Sequence, residues 1–225
     1  MNADAHDIFG AAIKSYFSGN KNSELIVHVE SGPSYRIPVE TFFRSADALE
    51  LDRVALRACK GAVLDVGAGT GEHALYLQRN GHVVTALDIS AASCSIMKAR
   101  GVESVIQSNI LEYTFASKYD TWLLLGRSIG AVGNIDGFRD FLIKAREALN
   151  SDGKIILNSQ NLSSTAGWQS RRLRFEFDGE CGDVIEWFDI GERLLAAEVK
   201  QLGFSGETLD RDDHENYLAL LRCSA

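Results

Sequence analysis

The spacing of apolar residues predicts two kinds of structure along the chain. In its first part, apolar side chains at helical spacing predict a short helix over residues 4–17. Residues 23–43 hold two short runs around the turn sequence SGPS, and they predict a hairpin or two short strands. Ser45 can cap a further helix over residues 46–59. We therefore interpret residues 1–45 as an N-terminal cap of one helix and a short hairpin.

After residue 61, short apolar runs alternate with stretches of helical spacing. The runs are AVLDV, HVVTALDI, ESVIQSNI, YDTWLLL and GKIILNSQ, and helices are predicted between them over residues 91–100 and 138–149. This alternation is typical of βαβ units, in which helices cover both faces of a parallel sheet. A last run, ENYLALLRC, predicts a final strand. Residues 46–225 therefore predict a doubly wound α/β core.

A less regular segment interrupts the core pattern after residue 160. The runs RRLRFEFD and DVIEWFDI flank the turn sequence GECG, and they predict a hairpin inserted at about residues 161–189. Residues 192–202 then predict a helix. We expect the cap and the inserted hairpin to pack over the sheet edge where α/β proteins bind their ligands.

The sequence VLDVGAGTGEHALYL, residues 63–77, marks the turn from the first core strand into the first core helix. Its glycines Gly67, Gly69 and Gly71 can take positive φ and lack a Cβ, so the backbone can bend sharply and approach a ligand closely. The free N–H groups at the start of the helix point to the same place. A ligand is therefore expected against this turn.

An acidic residue, Asp88, ends the second predicted strand, 17 residues after Gly71. A carboxylate at that position can accept hydrogen bonds from both hydroxyls of a ribose, so turn and acid together indicate a nucleoside-containing ligand. The spacing GxGxG differs from the GxGxxG that seats a pyrophosphate. Asp65, which precedes the glycines, would repel a pyrophosphate but could help to hold an ammonium group. We therefore expect a ligand that is zwitterionic at this end.

Four motifs, LDVGAGTG, ALDIS, QSNI and YDTWLLLG, resemble in order and spacing those of the class I S-adenosylmethionine-dependent methyltransferases, over roughly residues 61–160. The outer segments RIPVETFF and NYLALL are similar to small bacterial members of that superfamily. The resemblance implies a Rossmann-like, mostly parallel seven-stranded sheet with an antiparallel last strand. It also implies S-adenosylmethionine as cofactor and an enzyme that transfers its methyl group.

The resemblance implies a role for each matched residue. Gly67, Ala68 and Gly69 would line the methionine moiety, with Asp65 behind them, and Asp88 would hold the ribose. The other implied cofactor residues are Gly71 in the turn, Ile89, Asn109 and Ile110 around the adenine, and Leu125 and Gly126 near the sulfonium. Many relatives have aspartate in place of Asn109, but an amide oxygen can also accept a hydrogen bond from the adenine amino group.

Arg127 follows the fourth core strand, where the resemblance places the incoming acceptor. Its guanidinium could clamp a carboxylate or phosphate, or it could pair with an acid at the strand end. The other candidates for the acceptor pocket are Tyr16, Phe42 and Phe43 as an aromatic lid, and Trp168 and Arg172 in the inserted hairpin. Aromatic residues of this kind are more often core residues. No residue is assigned as a catalytic group.

Composition and charge narrow the range of partners. The chain has 225 residues, of which 45% are hydrophobic and 24% charged, and its net charge of −8 disfavours nucleic acid as a partner. Its apolar runs are too short to span a membrane and its start lacks the basic region of a signal peptide, so we expect a cytoplasmic protein. Four cysteines without a CxxC pair predict neither a metal site nor a disulfide framework.

The expected function is transfer of a methyl group from S-adenosylmethionine to oxygen, nitrogen or carbon of a small, anionic metabolite or natural-product intermediate. The alternatives are methylation of a protein or peptide side chain, and a non-catalytic module that binds S-adenosylmethionine. The sequence lacks an NPPY-like tetrapeptide and a Pro-Cys pair, which disfavours methylation of nucleic-acid bases. The glycine spacing disfavours a dinucleotide-dependent oxidoreductase.

Overall fold

Helices and strands alternate along most of the chain, in a computed structural model that describes residues 3–162 and 164–223. The helices are α1 (Ala3–Phe17), α2 (Glu50–Ala58), α3 (Glu72–Arg79), α4 (Ala91–Arg100), α5 (Ile135–Ala148) and α6 (Glu192–Gln201). The strands are β1 (Glu24–Val29), β2 (Tyr35–Pro38), β3 (Ala62–Val66), β4 (Val83–Asp88), β5 (Ser104–Gln107), β6 (Tyr119–Leu124), β7 (Leu149–Gln160), β8 (Trp168–Phe177), β9 (Glu180–Cys181), β10 (Ile185–Ile190), β11 (Phe204–Arg211) and β12 (Asn216–Cys223). No helix within these described ranges is both long enough and apolar enough to cross a membrane.

Seven of the described strands form the core sheet, in the order β11-β12-β7-β6-β3-β4-β5. The strands from β7 to β5 run parallel, whereas β12 is antiparallel to both β7 and β11. This arrangement confirms the predicted Rossmann-like, mostly parallel sheet with an antiparallel last strand. The carboxyl ends of β3, β4, β5 and β6 meet at one edge, which brings together the residues that follow them.

Helices cover both faces of the core sheet. Successive strand residues point to opposite faces, so neighbouring apolar residues pack against different helices. Val63 packs into one apolar cluster and its neighbour Leu64 into another. Helices α2, α3 and α4 contribute to the cluster around Val63, whereas α5 and α6 contribute to the one around Leu64. Both faces of the parallel strands are therefore buried, which explains why their sequences are continuous apolar runs.

Two features of the core differ from the sequence pattern. Helix α2 begins at Glu50, and Ser45 does not cap it, because the Ser45 hydroxyl bonds to the side chain of Asp47 instead. Strand β11 has no predicted counterpart. It lies at the sheet edge, and its sequence FSGETLDR buries few side chains, so no apolar run reveals it.

A second, antiparallel sheet, which we call the accessory sheet, contains strands in the order β10-β8-β1-β2, with β9 paired to β8. It joins the hairpin predicted near the start of the chain to the hairpin predicted as a late insertion, since Val27 of β1 pairs with Phe175 of β8. Leu25, Val27 and Leu173 are buried on one face of this sheet. Helix α1 packs against the same sheet, with Phe9 6.1 Å from Phe175 between ring centroids.

Candidate active site

A cavity of about 420 Å³ lies between the carboxyl edge of the core sheet and the accessory sheet. The core contributes the residues that follow β3, β4, β5 and β6, namely Gly67, Ala68, Gly69, Asp88, Ile89, Asn109, Ile110, Leu125, Gly126 and Arg127. The accessory sheet contributes an apolar wall that contains Leu25, Val27, Ile37, Leu173, Phe175 and Trp187. Most residues predicted to bind the cofactor are therefore brought together at one wall of a single cavity.

The glycine turn after β3 leaves open space at one position and packs tightly at another. Gly67 and Gly69 both have positive φ, 69° and 56° respectively. A Cβ on Gly67 would lie 2.7 Å from the Cβ of Ser128, whereas a Cβ on Gly69 would meet no protein atom within 4 Å. Gly67 is thus required by the protein's own packing, and Gly69 leaves its space free on the cavity side.

Gly71, also predicted as a cofactor residue, does not line the cavity. It caps α3 with a φ of 83°, and a Cβ there would lie 2.9 Å from Cγ of Met97 on α4. A side chain at this position would therefore push α3 away from α4. Gly71 shapes the turn from behind and does not face the ligand space.

Asp88 ends β4 with its carboxylate fixed by backbone donors. Oδ2 accepts from the N–H of Gly69 at 2.8 Å, and Oδ1 accepts from the N–H of Ser90 at 2.9 Å. Burial raises the pKa of Asp88 to about 6, against the lowering effect of these two hydrogen bonds. Each oxygen keeps a further lone pair, so the carboxylate can still accept from two hydroxyl groups at the cavity wall.

Asp65 lies behind the glycine turn, fully buried and outside the cavity lining. Its Oδ2 has no hydrogen-bond partner among the described residues. Burial raises the pKa of Asp65 to about 6, and the nearby His73 opposes that rise. A buried carboxylate oxygen without a donor places negative potential behind the turn, where a cationic group in the cavity would be stabilised.

Two further polar side chains, those of Arg44 and His73, line the same cavity, and the sequence pattern assigns a role to neither. Nε2 of His73 lies 3.4 Å from Oδ2 of Asp52, which is 2% exposed. The same oxygen accepts from Nη2 of Arg44 at 3.2 Å. Arg44 and His73 both reach the cavity from this shared carboxylate. Only the fold could reveal the cluster, because its members come from three separate segments of the chain.

Asn109 lies on the cavity wall, but its carboxamide takes part in a local turn. Oδ1 accepts from the N–H of Leu111 at 3.0 Å, and Nδ2 donates to Oε1 of Glu112 at 3.1 Å. One lone pair of Oδ1 remains for an outside donor. Ile89 and Ile110 line the cavity beside it. Their contact with an adenine ring stays a prediction.

Arg127 is held in an uncommon backbone conformation at the mouth of the core sheet. Its φ is 59°, in the left-handed region that residues other than glycine rarely adopt. Its N–H donates to Oδ1 of Asn158 at 2.8 Å, and Nη1 donates to Oε1 of Gln160 at 2.6 Å. Contacts with β7 therefore fix both the backbone and the side chain of Arg127 beside the cavity.

A second guanidinium lines the cavity near Arg127, and both approach the same buried carboxylate. Nε and Nη2 of Arg171 donate to Oδ2 of Asp189 at 3.1 and 2.8 Å. Nε of Arg127 lies 3.8 Å from Oδ1 of Asp189, beyond hydrogen-bond distance. Asp189 is fully buried, while about a quarter of each arginine side chain is exposed. Two positive charges and one negative charge therefore leave a net positive charge at this wall.

Four residues predicted for the acceptor pocket do not line the cavity. Tyr16 and Phe43 stack on each other with ring centroids 4.9 Å apart, as part of the packing between α1 and the segment before α2. Trp168 packs against Phe188 and the core. Arg172 faces solvent and pairs with Glu30 at 2.8 Å. Among these aromatic and hairpin candidates, only Phe42 lines the cavity.

The alternation along β8 is the signal that could have identified Arg171 in place of Arg172. In the sequence RRLRF, Leu173 and Phe175 are apolar at alternate positions and predict the inward face of a strand. Arg171 has the same parity and Arg172 the opposite one. The structure places Leu173, Phe175 and Arg171 at the cavity, as this alternation requires.

The fold and this cavity define an α/β protein with a glycine turn and a buried carboxylate at the carboxyl edge of its sheet, and comparison with known proteins identifies its family. A family model described as a methyltransferase domain matches residues 63–153. The chain is similar to the S-adenosylmethionine-dependent methyltransferase from Bacteroides fragilis whose crystal structure contains S-adenosyl-L-homocysteine. The two are 33% identical with a TM-score of 0.91, over 100% of this chain and 98% of the other. The chain therefore belongs to the S-adenosylmethionine-dependent methyltransferases.

More distant structures share the fold. The DhpI complex with S-adenosylhomocysteine is 19% identical with a TM-score of 0.66, covering 99% of this chain and 98% of the other. The sugar N-methyltransferase KedS8 from Streptoalloteichus is 15% identical with a TM-score of 0.61, covering 86% of this chain and 96% of the other. No curated protein matches the sequence significantly.

These findings confirm that the chain is an enzyme that transfers a methyl group from S-adenosylmethionine. The cavity fits this cofactor in three respects. Gly69 leaves open space at the turn, Asp88 keeps free lone pairs for the ribose hydroxyls, and Asp65 has an unpartnered oxygen behind the place expected for the ammonium group. The cofactor supplies a methyl group bonded to a positively charged sulfur, which a nucleophile can attack.

We expect the affinity for S-adenosylhomocysteine to fall as the pH is lowered from about 7.5 to about 5. Asp88 has a pKa of about 6 in the free protein, and hydroxyl donors favour its ionised form. Below that pH the carboxyl group must lose a proton before it can accept hydrogen bonds from both ribose hydroxyls. This deprotonation lowers the affinity about tenfold per pH unit. Calorimetric titrations across the range measure the effect.

The same ionisation should act on the stability of the free protein with the opposite sign. The pKa values of Asp65 and Asp88 are about 6 in the folded state, against about 3.9 in an unfolded chain. The folded state therefore binds more protons between these values, and both groups contribute more stability as the pH falls from about 6 to about 4.

The control for the affinity prediction is Asp88→Asn, which should flatten the pH profile of the affinity for S-adenosylhomocysteine. A wild-type affinity that does not change with pH would contradict the role of Asp88.

Proposed function

We propose that the enzyme methylates a small acceptor that carries an apolar body and an anionic group. The observation that carries this proposal is the pair Arg127 and Arg171, which face the cavity over the single buried carboxylate of Asp189. An acceptor carboxylate or phosphate would balance the remaining positive charge and could bind a guanidinium through two parallel hydrogen bonds.

The size and lining of the cavity support a small acceptor. A volume of about 420 Å³ lies within the range of small-molecule sites. The accessory wall opposite the glycine turn consists of aliphatic and aromatic side chains, such as Val27, Leu173 and Trp187. Burying an apolar acceptor there would remove water from the reacting groups. KedS8, which shares this fold, is a sugar N-methyltransferase, and this is compatible with a small-molecule acceptor here.

The chemistry requires alignment more than proton transfer. Methyl transfer from a sulfonium is an in-line displacement, in which the protein must hold the acceptor atom behind the methyl carbon and exclude water. The accessory wall can hold the acceptor body, and Arg127 and Arg171 can fix its anionic end. A base is needed only for a nucleophile that keeps its proton. Among the residues that line the cavity, His73 is the candidate for such a base, because its imidazole lies beside the Asp52 carboxylate.

The experiment that tests the proposal is a screen for methyl transfer with labelled S-adenosylmethionine. The panel contains small aromatic and aliphatic carboxylates and phosphates, each paired with its neutral ester or amide. We expect methylation of an anionic member and little turnover of its neutral partner. Methylation of neutral acceptors at equal rates would refute the anionic class, while leaving the methyltransferase activity itself unaffected.

Arg127→Gln should lower kcat/KM for the anionic acceptor by roughly 10–100-fold, that is, by about 1.4–2.7 kcal/mol, because the pair is partly exposed to solvent. The affinity for S-adenosylhomocysteine should stay nearly constant. Arg172→Gln is the matched control, since Arg172 is the neighbour of Arg171 on the solvent face of the same strand. Steady-state kinetics of both variants decide the matter, and an unchanged Arg127→Gln enzyme would make Arg127 a purely structural residue.

A further inference from the structure

Three side chains with metal-binding atoms meet on the solvent side of the accessory sheet. His28 lies on β1, Glu176 on β8 and Cys181 on β9, and one ligand atom of each lies within 4.8 Å of the other two. Nε2 of His28 is 2.6 Å from Oε2 of Glu176, and Sγ of Cys181 is 3.8 Å from the same oxygen. This cluster lies on the opposite side of the sheet from Val27 and Phe175, which line the cavity.

The strand register explains how the cluster forms. Glu176 and Cys181 are direct cross-strand partners, so their side chains lie on the same face. Ile26 pairs with Glu176 and His28 with Arg174, which makes His28 and Glu176 diagonal neighbours on that face. His28 is distant in sequence from Glu176 and Cys181, and this is why cysteine spacing alone predicts no metal site.

A fourth residue orients the imidazole of His28. Its Nδ1 lies 2.9 Å from Oγ of Ser34, in the turn between β1 and β2. When Nδ1–H donates to this hydroxyl, the Nε2 lone pair points toward Glu176 and Cys181. Histidines that bind metals almost always have such a partner on the second ring nitrogen, which fixes the tautomer and the ring orientation.

We propose that His28, Glu176 and Cys181 form a binding site for a divalent transition metal, with Zn²⁺ as the best match. Imidazole nitrogen, carboxylate oxygen and thiolate sulfur are the ligands that Zn²⁺ takes in proteins, at about 2.0–2.3 Å. Tetrahedral coordination at those lengths separates the ligand atoms by roughly 3.3–3.8 Å. The 3.8 Å between sulfur and oxygen already matches, and the 2.6 Å contact must open by less than an ångström.

The surroundings allow this change. About a third of the His28 side chain and a quarter of the Glu176 side chain are exposed, and Cys181 is exposed, so each can rotate without disturbing the core. A water molecule can take the fourth position from the solvent side. Binding releases the proton of the Cys181 thiol to solvent, since the thiolate is the ligand. Arg174, which pairs with His28 and lies on the same face, is a repulsive neighbour, while Asp178 in the turn between β8 and β9 contributes a negative charge close to Glu176 in sequence.

A bound metal would link β1 to the β8–β9 hairpin from outside. Val27 and Phe175 pair across the same two strands and form part of the acceptor wall. The metal would therefore fix the separation of the two strands that hold this wall, and we assign it a structural role. It lies on the far side of the sheet from the reacting groups.

The test uses the full chain, reduced, stripped with a chelator and returned to chelator-free buffer. Titration with Co²⁺ should reach about one equivalent per chain, with a thiolate-to-cobalt charge-transfer band in the near ultraviolet and tetrahedral bands in the visible. Zn²⁺ should displace the cobalt, and it should raise the Tm of the stripped protein. Ser34→Ala should weaken cobalt binding about tenfold through loss of ring orientation.

Cys181→Ser should remove the charge-transfer band, and His28→Ala should abolish one-equivalent binding. Cys223→Ser is the matched control, because Cys223 is only partly buried and lies on β12, outside the cluster. Both cluster variants should bind S-adenosylhomocysteine as the parent does, which shows that they are folded. The proposal fails if the parent shows no saturable cobalt spectrum, in which case His28 and Glu176 form an ion pair only. It also fails if the band survives in Cys181→Ser.

Discussion

Gly69→Val should abolish binding of S-adenosylmethionine while the α/β core stays folded. The new Cβ would meet no protein atom within 4 Å, so the branched side chain would occupy the space left for the ligand. Valine at a φ of 56° also costs about 1–3 kcal/mol of backbone strain, which a protein of ordinary stability survives. Calorimetry should show at least about a thousandfold loss of affinity for S-adenosylhomocysteine, equivalent to about 4 kcal/mol.

Gly81→Val is the matched control for this strain. Gly81 has a φ of 85° and equally open surroundings, but it lies in the turn between α3 and β4, away from the cavity. The two variants should lose similar stability in thermal unfolding, and only Gly69→Val should lose the ligand. If a folded Gly69→Val protein binds as tightly as the parent, the cofactor does not approach this turn.

Asp88→Ala should weaken cofactor binding by at least about a hundredfold. The ribose hydroxyls would lose a charged acceptor, and each such hydrogen bond is worth about 1.5–3 kcal/mol. The substitution also leaves the N–H groups of Gly69 and Ser90 without their present acceptor, so we expect a lower free energy of unfolding. Affinities for S-adenosylhomocysteine and denaturant unfolding curves separate the two effects.

Asp88→Asn separates the charge from the shape. It keeps one acceptor oxygen and nearly the same volume but replaces the other oxygen with a donor that faces a backbone N–H. We expect an affinity between those of the parent and Asp88→Ala. Binding of folded Asp88→Ala within about twofold of the parent would show that the ribose lies elsewhere.

The sequence predicts the cofactor half of the molecule well because its signals are local. The parallel strands are buried on both faces, so runs such as AVLDV and YDTWLLL identify them. The residues that line the cavity follow directly after the ends of these strands, so the sequence predicts the place of Gly69, Asp88 and Arg127 at the cavity wall. The sequence pattern does not predict strand β11, because an edge strand needs no apolar run.

The acceptor half depends on pairing between distant segments, which a local pattern does not contain. No spacing rule joins β1 to β8, yet that pairing builds the wall with Val27 and Phe175. The sequence therefore offers no register to orient the aromatic residues near its start, and Tyr16 and Phe43 stack on each other against the apolar cluster beside α1 instead of lining the cavity. The position of Arg171 at the cavity could be predicted, because the alternation in β8 places Arg171 and Arg172 on opposite faces of the strand.

The accessory sheet combines a hairpin that precedes the core with strands inserted between β7 and α6, so it contains hydrogen-bonded side chains 148 positions apart. Within the part of the chain that the structure describes, none of its strands pairs with the core sheet, whose strand order is continuous without them. Substitutions that reshape the acceptor wall can therefore accumulate while the glycine turn, Asp88 and the strands beneath them stay unchanged. Natural variation, or directed evolution, is thus free to change which compound is methylated while the methyl donor remains the same.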